Sequence, residues 1–244
     1  ASRSSWSRMV KGVASLAGLC FITLFYTRSI GALLLVIGFI IYSLSISTSK
    51  MRLPIRHLLK LGALVFPLSL LAMPKIIVVV LVAILLGIAL LIDLVRLLSP
   101  SFNEKYLKQK MFARAKERKR LSGYSLFLLS TLIIINWFSM EVAVISLSFF
   151  ILGDTFAPFS RIIRFLPQRP ILGDKTIAGV IVVFTISFVA GLFLRSLTPL
   201  TLPFGMIVFG SVAVAILDQF SFLLDDNILV PLGSAILLSV IQYG

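Results

Sequence analysis

Nine apolar runs, separated by short polar segments, leave few folds open to this chain. A helix needs about 20 apolar residues to cross a bilayer, and somewhat fewer when cations flank it. Hydrophobic residues occupy 59% of the 244 positions, whereas ordinary soluble domains hold roughly 45–50%. The sequence therefore predicts an all-α, polytopic integral membrane bundle of about nine transmembrane helices. The predicted spans are 12–27, 30–47, 57–73, 76–95, 122–138, 142–160, 177–195, 203–219 and 228–243.

The positions of the cations predict which end of the bundle faces the cytoplasm. Cytoplasmic segments of membrane proteins carry an excess of Lys and Arg. With a cytoplasmic N-terminus, 20 of the 23 Lys and Arg residues fall in inner segments, and only Arg28, Lys75 and Arg195 fall outside. We therefore expect the N-terminus in the cytoplasm, with the protein in the plasma membrane of a prokaryote or in the endoplasmic reticulum membrane.

The acidic residues collect at the same predicted end. Acids contribute little to orientation, so topology alone does not explain their distribution. Only Glu141 falls on the outer side. The other eight are Asp93, Glu104, Glu117, Asp154, Asp174, Asp218, Asp225 and Asp226. Their clustering predicts a polar site at the cytoplasmic face.

The net charge of +14 raises the alternative of a nucleic-acid-binding protein. The basic residues lie between apolar runs and form no domain with aromatic platforms, so we expect membrane headgroups as their partner and no nucleic acid. The segment 96–121 is predicted to be a basic amphipathic helix on the inner leaflet. It separates an N-terminal four-span region, 1–95, from a C-terminal five-span region, 122–244.

The stretch 149–179 is the best candidate for a functional loop. Gly153 and Asp154 close an apolar run, and a Pro-containing loop with four cations follows them. An acid at the mouth of a membrane helix beside several cations suits a polyphosphate and its metal. If the helix persists, the spacing of 154, 157, 161 and 164 puts one acid and two of the cations on one face. The four cations are Arg161, Arg164, Arg169 and Lys175.

Two further polar groups interrupt apolar runs near the same end. Asp93 and Arg96 are three residues apart in the fourth span, which is compatible with a functional pair or with an interfacial ion pair. Asp225, Asp226 and Asn227 supply the oxygen ligands that Mg²⁺ prefers. The same residues also suit a turn and a helix N-cap.

The lysine at 175 does not belong to a known nucleotide-binding loop. Gly173-Asp174-Lys175-Thr176 has Asp where a P-loop has the Gly of Gly-Lys-Thr, and no strand precedes it. Protein-kinase motifs are also missing from the sequence. A nucleotide site in this chain must therefore be assembled from the ends of membrane helices.

Taken in order, these motifs resemble the CTP-dependent lipid-alcohol kinases, which include dolichol and polyprenol kinases, phytol kinase and the CTP-type diacylglycerol kinase. The resemblance covers about residues 90 to 240. It rests on Asp93-x-x-Arg96-x-x-x-Pro100-x-Phe102-Asn103, on Glu117 to Gly123, on Gly153-Asp154-x-x-Ala157, on Lys175-Thr176-x-x-Gly179 and on Asp226-Asn227-x-x-x-Pro231.

The resemblance implies transfer of the γ-phosphate of CTP to the hydroxyl of a membrane lipid such as a polyprenol or dolichol, with Mg²⁺ or another divalent cation. Asp154, and after it Asp93, are the predicted catalytic carboxylates. The predicted metal ligands are Asp154, Asp225 and Asp226. The residues predicted to contact CTP are Arg96, Glu117, Arg120, Gly153, Arg161, Arg164, Lys175, Thr176, Gly179 and Asn227.

The acceptor hydroxyl would need a groove between spans to reach the interface. Small residues, among them Gly191, Gly205 and Gly210, suit such a groove, and tight helix packing explains them as well.

The chain departs from the family pattern at three points. Ala178 stands where the family usually has Glu, so Asp174 or Asp218 would have to substitute. Ser160 precedes the first loop arginine in place of Gly, and only Arg56-His57 and Lys60 suggest the family's early Arg-Lys-x-x-His stretch.

Two other functions stay open at this point. One is a cytidylyltransferase that makes a CDP-activated lipid, although such enzymes carry a late cation and this chain has none after Arg195. The other is a transporter, whose acids would be spread through the membrane depth.

Overall fold

The computed structural model describes residues 60–108, 117–161, 163, 166–172, 175–220 and 224–243. The predicted spans 12–27 and 30–47 lie outside the described residues, as do Arg164 and Asp174. Within the described ranges the chain is mostly helical. Its α-helices are α1 (Val65–Ser69), α2 (Lys75–Leu98), α3 (Pro100–Lys108), α4 (Gly123–Trp137), α5 (Met140–Phe156), α6 (Ile177–Leu197), α7 (Phe204–Gln219) and α8 (Asp226–Tyr243).

Three helical segments are long and apolar enough to cross a membrane: α2, α6, and α5 with its continuation to Arg161. At 1.5 Å per residue, the 24 residues of α2 extend about 36 Å, which exceeds the ~30 Å hydrocarbon core. Three shorter apolar helices, α4, α7 and α8, accompany them. These helices agree with the predicted class of a helical membrane-embedded protein. The total of nine spans and the orientation stay predictions.

Helix α5 forms the centre of the bundle. It packs against α1, α4, α6, α7 and α8, and every side chain from Val142 to Ile151 is buried. Among the described helices, α2 lies at the edge: it packs mainly against α4 and exposes large apolar side chains along most of its length, such as Ile76 and Leu91. An apolar face of this width suits contact with lipid.

Polar groups mark one end of the bundle, where α2, α5 and α7 finish and α4, α6 and α8 begin. Ser122 and Thr176 cap α4 and α6 there, because each side chain accepts a backbone N–H of the first turn. Bonds between neighbouring helices hold this end together. For example, Ser130 Oγ of α4 donates to the Asn227 carbonyl of α8 at 2.9 Å. We call this end of the bundle the polar end.

The structure differs from the predicted elements in three places. Of the predicted span 57–73 the structure describes residues 60–73: Lys60 and Leu61 are helical, a 3₁₀ turn (Gly62–Leu64) follows, and α1 ends at Ser69. After α5 the helix tightens into a 3₁₀ turn (Ala157–Arg161), so the regular α spacing predicted beyond Asp154 is lost. A two-stranded antiparallel hairpin, β1 (Pro170–Leu172) and β2 (Lys175–Thr176), occupies the loop before α6, which the all-α prediction did not include. The expectation that no strand precedes Gly173 is therefore wrong, although β1 has only three residues.

The small residues of α6 and α7 serve helix packing. A Cβ atom on Gly191 would lie 2.4 Å from Ile207 Cγ2 and 2.8 Å from Phe149 Cζ. A Cβ atom on Gly210 would lie 3.1 Å from Leu238 Cδ2 and 3.3 Å from Phe149 Cε2. Of the two explanations open at these two positions, the structure favours close helix packing over an acceptor groove.

We expect Gly191→Ala to lower stability by about 1–3 kcal/mol, since the added methyl group overpacks the α5–α6–α7 contact. The matched control is Gly87→Ala in α2, where no atom of the described residues lies within 4 Å of an added Cβ. That substitution should raise stability slightly, because Ala favours a helix over Gly by roughly 1 kcal/mol. Thermal unfolding of both variants in detergent measures the difference, and equal melting temperatures would contradict the packing.

Candidate functional site

Arg96 is the centre of a buried polar cluster at the polar end. Its side chain is fully buried, and its guanidinium donates to Asp93 Oδ1 from Nε at 3.1 Å and from Nη2 at 3.0 Å. The same guanidinium donates to the carbonyl of Glu117 at 2.6 Å and to the carbonyl of Arg120. Arg96 therefore ties the end of α2 to the segment that leads into α4.

Asp93 completes this connection through its second carboxylate oxygen. Oδ2 accepts the backbone N–H of Ser122 and the hydroxyl of Ser125, both at 2.7 Å. With Oδ1 held by Arg96, protein donors occupy both oxygens. The geometry gives Asp93 and Arg96 a positioning role at the start of α4. The catalytic role predicted for Asp93 and the CTP-binding role predicted for Arg96 stay predictions.

Tyr106 covers this cluster from α3. Its ring lies beside the Arg96 guanidinium, with 5.6 Å between the ring centroid and Cζ. Burial raises the pKa of the Tyr106 phenol above its ordinary value, and the negative charge of Asp93 adds to the effect. The phenol therefore stays neutral at physiological pH.

Gly123 is the point where Glu117 and Asn227 meet. A Cβ atom at Gly123 would lie 2.8 Å from Asn227 Nδ2 and 3.6 Å from Glu117 Oε1. A larger residue at this position would separate α8 from the start of α4. Glu117 and Asn227, both predicted to contact CTP, are thus brought together from segments distant in the sequence.

An apolar cavity of about 380 Å³ lies beside this point, between α1, α2, α4 and α5. Its walls are mostly aliphatic and aromatic, with Phe66, Ala89, Phe127 and Phe150 among them. Its polar lining comes from residues of the polar end, namely Lys60, Tyr124, Asp154 and Asn227. The cavity is therefore apolar along most of its length and polar where the helices end.

Asp154 stands at that polar part of the cavity. The Lys60 ammonium donates to Asp154 Oδ2, and the two side chains are 15% and 19% exposed, respectively. Lys60 stands just before the 3₁₀ turn that leads into α1, whereas Asp154 belongs to the last turn of α5. This ion pair remains within reach of a ligand in the cavity.

A second lysine–aspartate pair lies nearby. Lys175 Nζ of β2 donates to Asp218 Oδ1 of α7 at 2.6 Å. The charges of Asp154 and Asp226 lie within electrostatic range of the Asp218 carboxylate. Asp218, one of the two acids expected to substitute at position 178, thus pairs with Lys175, and the other, Asp174, lies outside the described residues.

The start of α6 adjoins Lys175. Thr176 Oγ1 accepts the Gly179 N–H at 3.2 Å and so caps the helix. A Cβ atom at Gly179 would lie 3.9 Å from Ser160 Oγ, so the loop after α5 passes this helix end. The Gln168 side chain holds that loop by donating to the Ser160 carbonyl at 2.8 Å. Backbone N–H groups at a helix start attract an anion, and the positive charge of a neighbouring lysine strengthens this attraction.

Asp225 caps α8. Its Oδ1 accepts the backbone N–H of Asn227 at 3.1 Å and the Asn227 side-chain amide at 2.6 Å. This agrees with the alternative of a turn and N-cap at 225–227. Among the residues that the structure describes, no three His, Cys, Asp or Glu side chains group closely enough to hold a metal ion. Mg²⁺ usually takes one or two carboxylates and completes its shell with phosphates and water, so the acids here suit a metal–nucleotide complex better than a free ion.

The remaining predicted residues have other surroundings. Gly153 faces α6 and α7, since an added Cβ would lie 3.0 Å from Val183 Cγ1 and 3.7 Å from Val214 Cγ1. Arg161 is exposed at the end of the 3₁₀ turn, and the Arg120 side chain is also exposed. Arg164 lies outside the described residues.

Lys60, Ser122 and Ser125 were missed by the sequence analysis as members of the site. Lys60 opens an apolar run, and this placement of a cation was the available signal. The serines form a Ser-x-x-Ser pair at the start of α4, which is typical of a helix cap. Neither signal indicates the partner of the side chain, because Lys60 and Asp154 are 94 residues apart.

Comparisons of the chain with protein-family models, with curated proteins and with solved structures find no match.

Proposed function

We propose that the protein transfers the γ-phosphate of CTP to the hydroxyl of a polyprenol- or dolichol-type membrane lipid, at the cytoplasmic face. One observation carries this proposal: an apolar cavity between membrane helices has the Asp154 carboxylate and the Lys60 ammonium in its polar lining. A lipid alcohol has the same distribution of polarity, with one hydroxyl on a long hydrocarbon.

The cavity supports the choice of acceptor. Phe66, Phe127 and Phe150 give it walls that favour a hydrocarbon chain over a polar substrate. A volume of about 380 Å³ holds only part of a polyprenol, so the rest of the chain would extend into the bilayer. The hydroxyl of a lipid bound in this way would lie beside Asp154.

The cations and the start of α6 support the choice of donor. Phosphoryl transfer requires mainly positioning and neutralisation of charge on the phosphate oxygens. Lys60, Lys175 and the capped start of α6 would hold the polyphosphate. Asp154 and Asp218 would hold Mg²⁺ together with it, and Mg²⁺ would neutralise charge on the transferred phosphate.

We assign Asp154 one further role in the proposed reaction, that of the general base. The lipid oxygen attacks the γ-phosphorus, the bond from that phosphorus to the bridging oxygen of CDP breaks, and the hydroxyl proton goes to the Asp154 carboxylate. Its place at the cavity makes Asp154 the preferred base.

Incubation of the purified protein with γ-labelled CTP, Mg²⁺ and a panel of lipid alcohols tests the proposal. We expect label in the lipid and release of CDP, with ATP as a poorer donor. Release of pyrophosphate with a CDP-lipid product would instead support the cytidylyltransferase. Failure of every lipid alcohol to take up label would refute the kinase.

Ala89→Phe in α2 tests the proposed lipid site independently of the proposed CTP site. Ala89 lines the cavity, and a phenyl ring there would occupy part of the space for the lipid. We expect KM for the lipid to rise about tenfold, since several buried methylene contacts would be lost, while the affinity for CTP stays unchanged. Gly87→Ala on the same helix is the matched control. An unchanged KM for the lipid would place the acceptor elsewhere.

A further inference from the structure

Two lysine–aspartate pairs lie at the polar end, and one of them includes Lys60, which was not among the site residues predicted from the sequence. Lys60 pairs with Asp154, and Lys175 pairs with Asp218. Asp218 is also close enough to Asp154 for the two carboxylates to interact electrostatically. Both lysines thus neutralise carboxylates that would otherwise repel each other.

The Lys60–Asp154 pair competes with any cation that would use the same carboxylate. Lys60 donates to Oδ2, so a divalent cation at Asp154 would meet the ammonium at close range. Two like charges a few ångströms apart in a partly desolvated site disfavour each other strongly. A bound divalent cation and the present position of Lys60 are therefore incompatible.

The flexibility of the lysine side chain allows the ammonium to move away from Asp154 when a cation binds there. Lysine carries its charge on a flexible four-carbon stem with rotatable donors, so it changes partners more readily than the planar arginine fork of Arg96. Lys60 lines the apolar cavity, and its side chain is partly exposed. An arriving polyanion therefore gives the ammonium a second partner close to the first.

We propose that Lys60 is a ligand-binding residue that exchanges partners: it neutralises Asp154 in the free protein and turns to a polyphosphate when one binds, which releases the Asp154 carboxylate for a divalent cation. The inference rests on the proposed function for the identity of the anion. It assigns a site residue that the sequence analysis did not include, and it makes cation binding at Asp154 dependent on the polyphosphate.

The test measures the two ligands separately, without turnover. Mn²⁺ alone is titrated into the full-length protein in detergent and followed by electron paramagnetic resonance. Tripolyphosphate alone is titrated by calorimetry in buffer free of divalent cations. For Lys60→Gln we expect Mn²⁺ to bind about tenfold more tightly and tripolyphosphate about tenfold more weakly, the usual size of effect for loss of one close charge partner.

Asp154→Asn should have the opposite effect, with weaker binding of Mn²⁺ and tighter binding of tripolyphosphate, because a neutral amide holds the Lys60 ammonium less strongly than the carboxylate does. Lys60→Arg, which keeps the charge, should preserve the anion affinity of the wild type. Lys75→Gln is the matched control, since Lys75 lies at the far end of α2 and donates to the Asn136 carbonyl. It should change neither affinity.

Opposite shifts in the two affinities distinguish the exchange from damage to the fold, which would weaken both. The exchange is overturned if Lys60→Gln moves the two affinities in the same direction, or moves neither more than Lys75→Gln does. If the wild type phosphorylates lipid with CTP but Lys60→Gln does not shift the two affinities in opposite directions, only this inference fails. If the opposite shifts are present and no nucleotide phosphorylates any lipid, only the proposed function fails.

Discussion

Asp154→Asn is expected to lower phosphate transfer by about 10²–10⁴-fold, the range for loss of a positioned base. Asp154 lies at the end of α5, in the polar lining of the apolar cavity, where a lipid hydroxyl would reach it. The amide keeps the shape of the side chain and still accepts a hydrogen bond from Lys60, so the helix should remain in place. Turnover of labelled CTP in the presence of lipid measures the loss.

Glu141→Gln is the matched control for this variant. Glu141 is the acid in the first turn of the same helix, at the end remote from Asp154, and the substitution is chemically identical. We expect wild-type turnover from Glu141→Gln and an unchanged melting temperature for both variants. Wild-type turnover by Asp154→Asn would remove Asp154 from the chemistry and with it the proposed base.

Arg96→Met should give the largest loss of stability. It removes the donors to Asp93 and to the carbonyls of Glu117 and Arg120, and leaves a carboxylate buried with fewer partners. Breaking a buried ion pair by removing one partner costs about 3–5 kcal/mol. We expect a loss of this size, measured by thermal or denaturant unfolding in detergent, with increased proteolysis near residues 117–122.

The double variant Asp93→Asn/Arg96→Met tests whether the two residues act as a pair. If they do, its loss should be clearly smaller than the sum of the two single losses, since the double variant, unlike either single variant, leaves no isolated buried charge. Arg195→Met, at the exposed end of α6, is the control and should change stability little. Additive losses would show that Asp93 and Arg96 stabilise the protein independently. Loss of phosphate transfer without loss of stability would support the functional role that the sequence predicted for them.

The helical class and the polar end could be predicted from the sequence. Spacing of apolar runs identifies helices because a helix in lipid must satisfy its own backbone hydrogen bonds. The predicted starts of the later spans agree with α4, α6 and α8 to within two residues. Successive helices also alternate in direction, so Asp93, Asp154, Asp218 and Asp226, each at the right end of its own helix, come to one end of the bundle.

The roles of the individual residues could not be predicted in the same way. Asp93 and Asp154 look alike in the sequence, since each is an acid near the end of an apolar run. The rotation of each helix about its axis turns Asp93 toward Ser122 and Ser125 and turns Asp154 toward the cavity. Asp225 was expected as a metal ligand or as a helix cap, and its bonds to Asn227 agree with the cap.

The sequence by itself determined the depth of each charge along its helix, because apolar length sets how far a residue lies from the helix end. Only the tertiary structure decided which charges meet, since neighbours around a bundle depend on helix order and rotation, which leave no periodic signal in one chain. Lys60 and Asp154 form a pair for this reason, and so do Lys175 and Asp218.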